Sequence, residues 1–312
     1  METILITGGT GLVGRALTGI LALQGYRVII VSRKIPVLLP GPNIQYAVWD
    51  IKNQMFDKHA IEKCDYIVHL AGAPVVDKKW TNAYMDEIVN SRVNSSKLIV
   101  QSLSRHAHKV KAVISASAIG YYGKDKNRLH AFIETDAADT HFLGTTCRLW
   151  EESIDPVETL GIRLVKLRVG IVLSNDGGAL TEFKKPIRFG IAAVLGSGKQ
   201  VISWIHITDL CRMIIYAIEN KNISGTYNAT APAPVTNKKL TLELAGNIKG
   251  KNYIPVHIPS FLLKTVLGQR SIEVLKSTTV SCEKIKQAGF NFLYPEIEKG
   301  LLELTGSTNQ QK

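Results

Sequence analysis

The sequence predicts an α/β protein in which a doubly wound parallel sheet is joined to a smaller α/β lobe towards the C-terminus. Short β-branched runs alternate with longer amphipathic stretches through the first half of the chain, which is typical of βαβ units. Each short run is almost continuously apolar, as expected for strands that helices cover on both faces. A glycine-rich stretch follows the first run at once and leads into a helical pattern.

The predicted strands and helices of the sheet alternate along the chain. Strands are predicted at residues 3–7, 26–32, 44–48, 66–70, 112–115 and 163–168. Helices are predicted between them at residues 12–24, 54–63, 81–105 and 141–160. The helix at 81–105 is a candidate face for a homodimer, although its periodicity fits core packing equally well.

The pattern changes after Val172, where turn clusters appear at residues 175–178 and 196–198, and prolines interrupt residues 231–234. We therefore predict three regions. Residues 1–172 and 201–230 form the sheet domain, residues 173–200 and 231–305 form the small lobe, and residues 306–312 form a flexible tail. Thr236 is expected to cap a helix of the lobe.

The composition argues against several classes of protein. The four cysteines are widely separated, which argues against a disulfide framework and suits a reducing compartment. No signal peptide and no run of 18 apolar residues occurs, so we expect a cytoplasmic protein with no membrane partner. The net charge of +12 comes from Lys and Arg scattered among acids, so we expect no nucleic-acid partner. Because no ligand cluster has metal-binding spacing, we also expect no metal.

The glycine-rich turn connects the first predicted strand to the first predicted helix. Glycines let the backbone approach a pyrophosphate, and the helix N-terminus supplies N–H donors and the positive end of the helix dipole. This strand–turn–helix context indicates a dinucleotide site on a Rossmann-type domain, the alternative being a tight turn without ligand. The residues predicted to contact the cofactor here are Thr7, Gly8, Gly11, Leu12, Val13 and Gly14.

The end of the second strand indicates which nicotinamide cofactor binds. An acidic residue there would bind the ribose 2′-hydroxyl, whereas a basic residue accommodates a 2′-phosphate. The sequence has Ser32, Arg33 and Lys34 at this place, and no acid between Glu2 and Asp50. Arg33 can pair with phosphate and stack on adenine. We therefore predict NADP(H) rather than NAD(H), the alternative being that the two basic residues only form a solvated loop.

Further motifs accompany the turn along nearly the whole chain. They lie at residues 70–73, 90–93, 115–123, 150–151, 168–173, 203–210 and 254–295. With these motifs the chain resembles the short-chain dehydrogenase/reductase superfamily, in its extended form related to nucleotide-sugar epimerases. It is most similar to an atypical subgroup of epimerase-family proteins, once labelled cell-division inhibitor-like, that have a small C-terminal module and no assigned substrate.

The resemblance implies positions for further site residues. It implies that Ser117 hydrogen-bonds a substrate oxygen, with Ser115 as the reserve candidate. The other implied cofactor contacts are Asp50 near the adenine, Leu70, Ala71, Gly72 and Ala73 beside the adenine ribose, and Val169 near the nicotinamide.

One departure from the superfamily removes its standard mechanism. Active members have a Tyr-x-x-x-Lys pair on the helix after the serine strand, in which the lysine lowers the pKa of the tyrosine. Alignment on residues 150–151 places Leu143 and Cys147 at those positions, and leucine cannot transfer a proton. Arg92 stands where those enzymes have an asparagine. The subgroup shows the same two changes.

The candidates for chemistry are therefore Ser117, Cys147, Tyr122 and Arg92. Cys147 is a candidate proton donor or a small buried hydrophobic residue. Tyr122 is a candidate acid or a packing residue; its spacing to Lys126 imitates the missing pair, but in a loop. Arg92 is expected to anchor an anionic substrate or to order the site, with a surface salt bridge as the alternative.

His206 is a candidate to shape the substrate cleft. We favour instead a hydrogen-bonded histidine that precedes a helix capped by Thr208 or Asp209.

These observations predict an NADP(H)-binding oxidoreductase that acts on an unidentified carbonyl or alcohol. Two alternatives stay open. One is a nucleotide-sugar epimerase or dehydratase, and the other is a non-catalytic NADP(H)-binding regulator, because a fold does not determine a function.

Overall fold

The computed structural model describes residues 1–35, 41–125 and 130–306 and has the mixed α/β architecture that the sequence predicts. Its strands are β1 (Thr3–Thr7), β2 (Arg27–Ser32), β3 (Ile44–Asp50), β4 (Met55–Phe56), β5 (Tyr66–His69), β6 (Ala112–Ala118), β7 (Arg163–Val169), β8 (Ile171–Ser174), β9 (Gly177–Gly178), β10 (Ile191–Leu195), β11 (Val201–Ile202), β12 (Trp204–His206), β13 (Gly225–Ala229), β14 (Val235–Thr236) and β15 (Ile254–Ile258). Its α-helices are α1 (Leu12–Leu23), α2 (Lys58–Lys63), α3 (Asn82–Arg105), α4 (Phe142–Ile154), α5 (Ala179–Arg188), α6 (Ile207–Glu219), α7 (Asn237–Lys249), α8 (Ser260–Leu267), α9 (Ser271–Leu275), α10 (Glu283–Gln287) and α11 (Ile297–Thr305).

Eight of the described strands form the main sheet, in the order β13-β7-β6-β5-β1-β2-β3-β4. Neighbouring strands are parallel, except for the antiparallel pair β3 and β4. The chain runs outwards from β1 to β3 and β4, then crosses to β5 on the other side of β1. This reversal leaves a crevice at the carboxyl ends of the strands, where ligands bind in open α/β sheets.

Both faces of the sheet are buried in separate cores. Side chains alternate between the two faces along each strand, so neighbouring residues enter different cores. Ile4 and Ile6 of β1 pack in the same core as Leu17 and Leu21 of α1, which lie four residues apart on one side of that helix. Leu5 points the other way and belongs to a second core with residues of α2 and α3. Burial on both faces of the sheet explains why the apolar runs in the sequence are continuous.

Three predicted boundaries differ from the structure by three residues or more. The helix predicted at 54–63 begins only at Lys58, since β4 occupies residues 55–56 and the Asp57 carboxylate caps the helix by accepting from the His59 N–H at 3.0 Å. Strand β6 continues to Ala118, because it pairs with β7 as far as Val169. The helix predicted at 141–160 gives way to a 3-10 helix over Asp155–Leu160.

The cap of α6 also differs from the prediction. His206 itself is the N-cap, and its Nδ1 accepts from the Thr208 N–H at 3.1 Å. Its Nε2 lies 3.0 Å from an Oε2 of Glu303 on α11. Asp209 is buried and accepts from the N–H groups of Leu293 and Tyr294. His206 is therefore a hydrogen-bonded structural residue, while Thr236 caps α7 as predicted.

The small lobe has its own core, to which β8, α5, β10, α7 and α11 contribute. Residues 225–229 join the main sheet as β13, and Cys282, Ile285 and Phe290 pack in the core of that sheet. The predicted domain limits stay a prediction, and the predicted tail beyond Gly306 lies outside the described residues. In the described part of the chain, no helix is both long enough and apolar enough to span a membrane.

Candidate functional site

A cleft opens at the carboxyl ends of the central strands, where the sheet reverses. The last residue of β7, Val169, lies on its wall. Leu210 and Ile214 of α6 also line it. Its other lining residues are Gly8, Gly11, Leu12, Val13, Gly14, Leu70, Gly72, Ile114, Ala116, Ser117 and Leu167. Eight of the predicted site residues therefore share one cleft with Ser117.

Close backbone contacts require the glycines of the turn. Gly8 has φ +71°, and a Cβ atom there would lie 2.8 Å from the carbonyl carbon of Leu70. A Cβ atom at Gly14 would lie 2.4 Å from the Gly8 oxygen. Any side chain at either position would push the turn away from the loop after β5 or from the first turn of α1.

The N-terminus of α1 faces the cleft, and no side chain of the described residues caps it. The N-cap is Gly11, which has no side chain to accept from the first-turn N–H groups, and that turn contains no acidic residue. Leu12 and Val13 of the same turn line the cleft. Backbone donors and the positive end of a helix dipole are the groups that bind a phosphate, so this end of the cleft fits the diphosphate of a dinucleotide.

The basic residues predicted to bind the 2′-phosphate of the cofactor follow β2, the strand beside β1. Ser32 ends β2 and hydrogen-bonds through its hydroxyl to the Lys34 carbonyl oxygen. Arg33 and Lys34 are exposed, and neither forms an ion pair within the described ranges. Asp50 ends β3, the next strand outwards, and its carboxylate accepts from the backbone and side-chain N–H groups of Asn53. These bonds lower the pKa of Asp50 and commit its carboxylate to a turn.

Arg92 of α3 holds the loop after β5. Its guanidinium donates to the Ala73 oxygen at 3.0 Å and lies 5.0 Å from the ring centre of Trp150. A Cβ atom at Gly72 would lie 3.0 Å from its Cζ, so the loop passes directly over the guanidinium. Burial lowers the pKa of Arg92, which forms no ion pair with the described residues. These contacts fit the prediction that Arg92 orders the site, and they do not fit the alternative of a surface salt bridge.

A buried histidine lies beneath the glycine-rich turn. The Nδ1 of His69 hydrogen-bonds with the Thr7 hydroxyl at 2.7 Å, and its Nε2 lies 3.1 Å from the Ser96 hydroxyl of α3. Burial lowers the pKa of His69 to about 3, so the ring is neutral at physiological pH. The Thr7 hydroxyl is therefore bonded to the buried His69, and a contact between Thr7 and the cofactor stays a prediction.

The hydroxyl of Ser117 contacts a buried ion pair. It donates to an Oε1 of Glu151 at 2.6 Å, and Glu151 in turn accepts from both Nε and Nη2 of Arg168, at 2.8 and 2.9 Å. Burial alone would lower the pKa of Arg168, but the bonds to Glu151 raise it. Since a paired carboxylate can only accept, the Ser117 hydrogen is committed to Glu151. Towards a ligand, the Ser117 hydroxyl can therefore act as a hydrogen-bond acceptor only.

Tyr122 belongs to the same network. Its hydroxyl donates to an Oδ1 of Asn228 at 2.6 Å and accepts from Arg168 at 2.9 Å. Burial raises the pKa of Tyr122 to about 12. The hydroxyl is thus bonded inside the protein, and a catalytic role for it stays a prediction. Lys126, which imitates a catalytic pair with Tyr122 in the sequence, lies outside the described residues.

Leu143 and Cys147 lie one turn apart on α4, beside the turn after β6. A Cβ atom at Gly120 would lie 3.5 Å from the Cβ of Leu143 and 3.7 Å from the Sγ of Cys147. These two side chains therefore occupy the position that the alignment assigns to the tyrosine and lysine. Burial raises the pKa of the Cys147 thiol to about 12, so it stays protonated and unreactive near neutral pH.

Sequence reasoning missed the polar network behind Ser117. Glu134 accepts from the Asn228 N–H at 2.8 Å, and its carbonyl oxygen accepts from Arg168. One signal was available, because Arg168 is a charged residue near the end of a strand of the sheet, where a buried charge needs a partner. Its partners lie 17 to 46 residues away along the chain and have no signal of their own.

The fold and the cleft define a dinucleotide-binding α/β protein of the Rossmann type. A sequence model described as the NAD dependent epimerase/dehydratase family matches residues 4–146, and a domain of unknown function, DUF1731, matches residues 258–304. The Epimerase family protein YfhF of Bacillus subtilis is 34% identical over 302 residues, which cover 96% of this chain and 97% of that protein. The chain belongs to this epimerase family and carries its C-terminal module, as the resemblance implied.

Two solved structures share this fold. The human epimerase family protein SDR39U1, solved with NADPH, has a TM-score of 0.84 and 28% identity, covering 98% of this chain and all of that one. A nucleoside-diphosphate sugar epimerase from Corynebacterium glutamicum has a TM-score of 0.77 and 29% identity, covering 98% of this chain and 58% of that one. Both similarities extend over the sheet domain and the small lobe.

Proposed function

We propose that the protein is an NADP(H)-dependent oxidoreductase that moves a hydride between the cofactor and a carbonyl or alcohol substrate. The observation that carries the proposal is the uncapped N-terminus of α1, which faces the cleft beside β2, the strand that ends at Ser32 and is followed by Arg33 and Lys34. The bound cofactor would supply the hydride chemistry. The residues of this chain bind it, orient the substrate and exclude water.

Different residues would bind different parts of the cofactor. The first-turn N–H groups of α1 bind the diphosphate, and Arg33 with Lys34 binds the 2′-phosphate. The preference for NADP(H) is supported by the exposure of both basic side chains and by the absence of an acid between Glu2 and Asp50 in the sequence. It is also supported by the human relative, whose structure was solved with NADPH.

The proton of the reaction comes from water in this proposal. The alignment gives Leu143 in place of the tyrosine, and the two ionisable candidates, Tyr122 and Cys147, both have a pKa raised to about 12. Ser117 donates its only hydrogen to Glu151. It therefore acts as an acceptor that orients a substrate hydroxyl, and it does not deliver a proton.

Titration of the purified protein with NADPH and NADH, followed by cofactor fluorescence, tests the cofactor assignment. We expect a preference for NADPH of about tenfold or more, or about 1.4 kcal/mol, that is lost in Arg33→Ala. Arg27→Ala is the matched control, because Arg27 is an exposed arginine at the opposite end of the same strand. Equal binding of both cofactors would refute the 2′-phosphate site, and no binding would show that the turn is only structural.

Two alternatives have an observation in their favour. Family membership favours an epimerase or dehydratase, which would retain tightly bound oxidised cofactor through purification. The replacement of the catalytic pair by Leu143 and Cys147 favours a regulator, which would bind NADPH and show no oxidation of it in a broad carbonyl screen. A positive carbonyl screen with NADPH would exclude the regulator.

A further inference from the structure

The outer side of the small lobe exposes apolar side chains that nothing in the described chain covers. Strand β15 lies at the edge of a two-stranded sheet with β10, and four of its five residues are exposed. Helix α8, which follows β15 after one residue, has no buried residue. Phe261 and Val266 of this helix are 67% and 68% exposed, values far above those of a helix that packs on a core.

These side chains lie on three adjoining segments of the small lobe: the end of α5, β15 and α8. The N–H of Ile254 donates to the Gly190 oxygen at 2.8 Å, which brings Phe189 to the start of β15. Phe189 is 85% exposed and Ile254 is 69% exposed. We define the outer apolar face by Phe189, Ile254, Val256, Phe261, Leu262 and Val266. A cluster of this kind on a protein surface marks an interaction site, whereas scattered exposed apolar residues do not.

The segment that carries most of the outer apolar face contains only basic charges. Between Glu243 and Glu273 the sequence contains no acid, whereas it contains four basic residues: Lys249, Lys251, Lys264 and Arg270. Arg270 donates to the Val76 oxygen. In the described part of the chain, the three lysines form no ion pair. A partner for this surface must therefore be both apolar and negatively charged.

A second copy of the chain fits this surface poorly. A two-fold interface would bring the four basic residues of each copy close to those of the other, and like charges in contact oppose association. Strand addition along β15 is also unfavourable. Pro255 has no N–H to donate at the open edge, and prolines on edge strands block such pairing.

We propose that the outer apolar face docks the protein reversibly on an anionic lipid surface. Apolar side chains of a short surface helix enter the boundary between headgroups and acyl chains, while nearby lysines contact the anionic headgroups. This proposal departs from our sequence-based expectation of no membrane partner. That expectation considered spanning segments and signal peptides, and the sequence did not reveal that α8 leaves its apolar residues uncovered.

Sedimentation of the full-length protein with phosphatidylcholine vesicles, with and without phosphatidylserine, tests the proposal. We expect binding to the phosphatidylserine vesicles that weakens as salt rises. The double variants Phe261→Ser/Val266→Ser and Lys249→Glu/Lys251→Glu should each weaken it by about tenfold or more. The matched control is Lys52→Glu/Met55→Ser, which changes an exposed basic and an exposed apolar residue beside the far edge of the main sheet and should bind as the native chain does.

The outcomes separate this proposal from the proposed function. None of the substituted residues lines the cleft, so the thermal midpoint and NADPH binding of each variant report its folding. Absence of binding to phosphatidylserine vesicles at low salt would overturn the proposal, as would binding that neither double variant reduces. Light scattering checks the rival occupant: a dimer that Phe261→Ser/Val266→Ser converts to monomer would assign the face to a second copy.

Discussion

The hydroxyl of Ser117 donates to Glu151 across 2.6 Å, and the same carboxylate forms a two-point ion pair with Arg168. Ser117 therefore sits at the border between the cleft and a buried charged network. That network continues through Tyr122 to Asn228 on β13, the strand at one edge of the main sheet. It connects the end of the central sheet to the segment before α10, since Asn228 also donates to the Ser281 oxygen.

Removal of one partner of the buried pair should destabilise the protein strongly. Glu151→Ala leaves Arg168 buried without its counter-charge, and we expect a loss of about 3 to 5 kcal/mol in the free energy of unfolding. Glu152→Ala is the control, because this neighbouring glutamate pairs with Arg148 at the surface and should cost less than about 1 kcal/mol. Urea unfolding measures both. Equal losses in the two variants would contradict a structural role for the pair.

Replacement of Ser117 should separate substrate orientation from cofactor binding. Ser117→Ala removes the acceptor in the cleft but leaves the turn and the N-terminus of α1 unchanged, so NADPH affinity should change less than about twofold, or 0.4 kcal/mol. Turnover of a substrate found in a carbonyl screen should fall by about tenfold or more. Unchanged turnover would remove Ser117 from the mechanism, and lost NADPH binding would make it a cofactor residue.

Two glycines of α1 should respond to alanine in opposite ways. Gly14→Ala places a Cβ atom 2.4 Å from the Gly8 oxygen, so we expect the turn to shift and NADPH binding to weaken by about tenfold or more. Gly19 lies in the same helix with no atom within 4 Å of an added Cβ. Gly19→Ala should instead stabilise the protein by about 0.5 to 1 kcal/mol and leave NADPH binding unchanged. Fluorescence titration and thermal unfolding measure the two effects.

The buried His69 should make the protein less stable in mild acid. Its pKa falls from 6.5 to about 3 on folding, so the unfolded chain binds the proton more tightly than the folded chain does. The contribution of His69 to the free energy of unfolding is constant above pH 6.5. As the pH is lowered from 6.5 towards the folded-state pKa near 3, the free energy of unfolding decreases by up to about 1.4 kcal/mol per pH unit.

His69→Asn should remove the contribution of this histidine, so that the free energy of unfolding depends less on pH between pH 6.5 and 4. His130→Asn is the control, because it replaces an exposed histidine in the same way. Parallel curves for the native chain and His69→Asn would show that the ring does not titrate as its burial requires.

Local patterns account for the parts of the fold that could be predicted. The strand–turn–helix unit over β1 and α1 depends on a continuous apolar run, on glycines and on a 3.6-residue period, all of which lie within about 20 neighbouring residues. The boundaries of α2 and α6 were misplaced. Their caps are Asp57 and His206, whose effects depend on one short-range bond each.

The sequence by itself determined the fold class, the glycine-rich turn, the basic residues after β2 and the loss of the Tyr-x-x-x-Lys pair, because each is written in residues that are close together along the chain. The tertiary structure alone decided what the side chains of the site bond to. Ser117 meets Glu151, Arg92 meets Ala73, and His69 meets Thr7 at separations of 34, 19 and 62 residues. Such contacts depend on the packing of α3 and α4 against the sheet, and a buried polar group takes whichever partner that packing brings within reach.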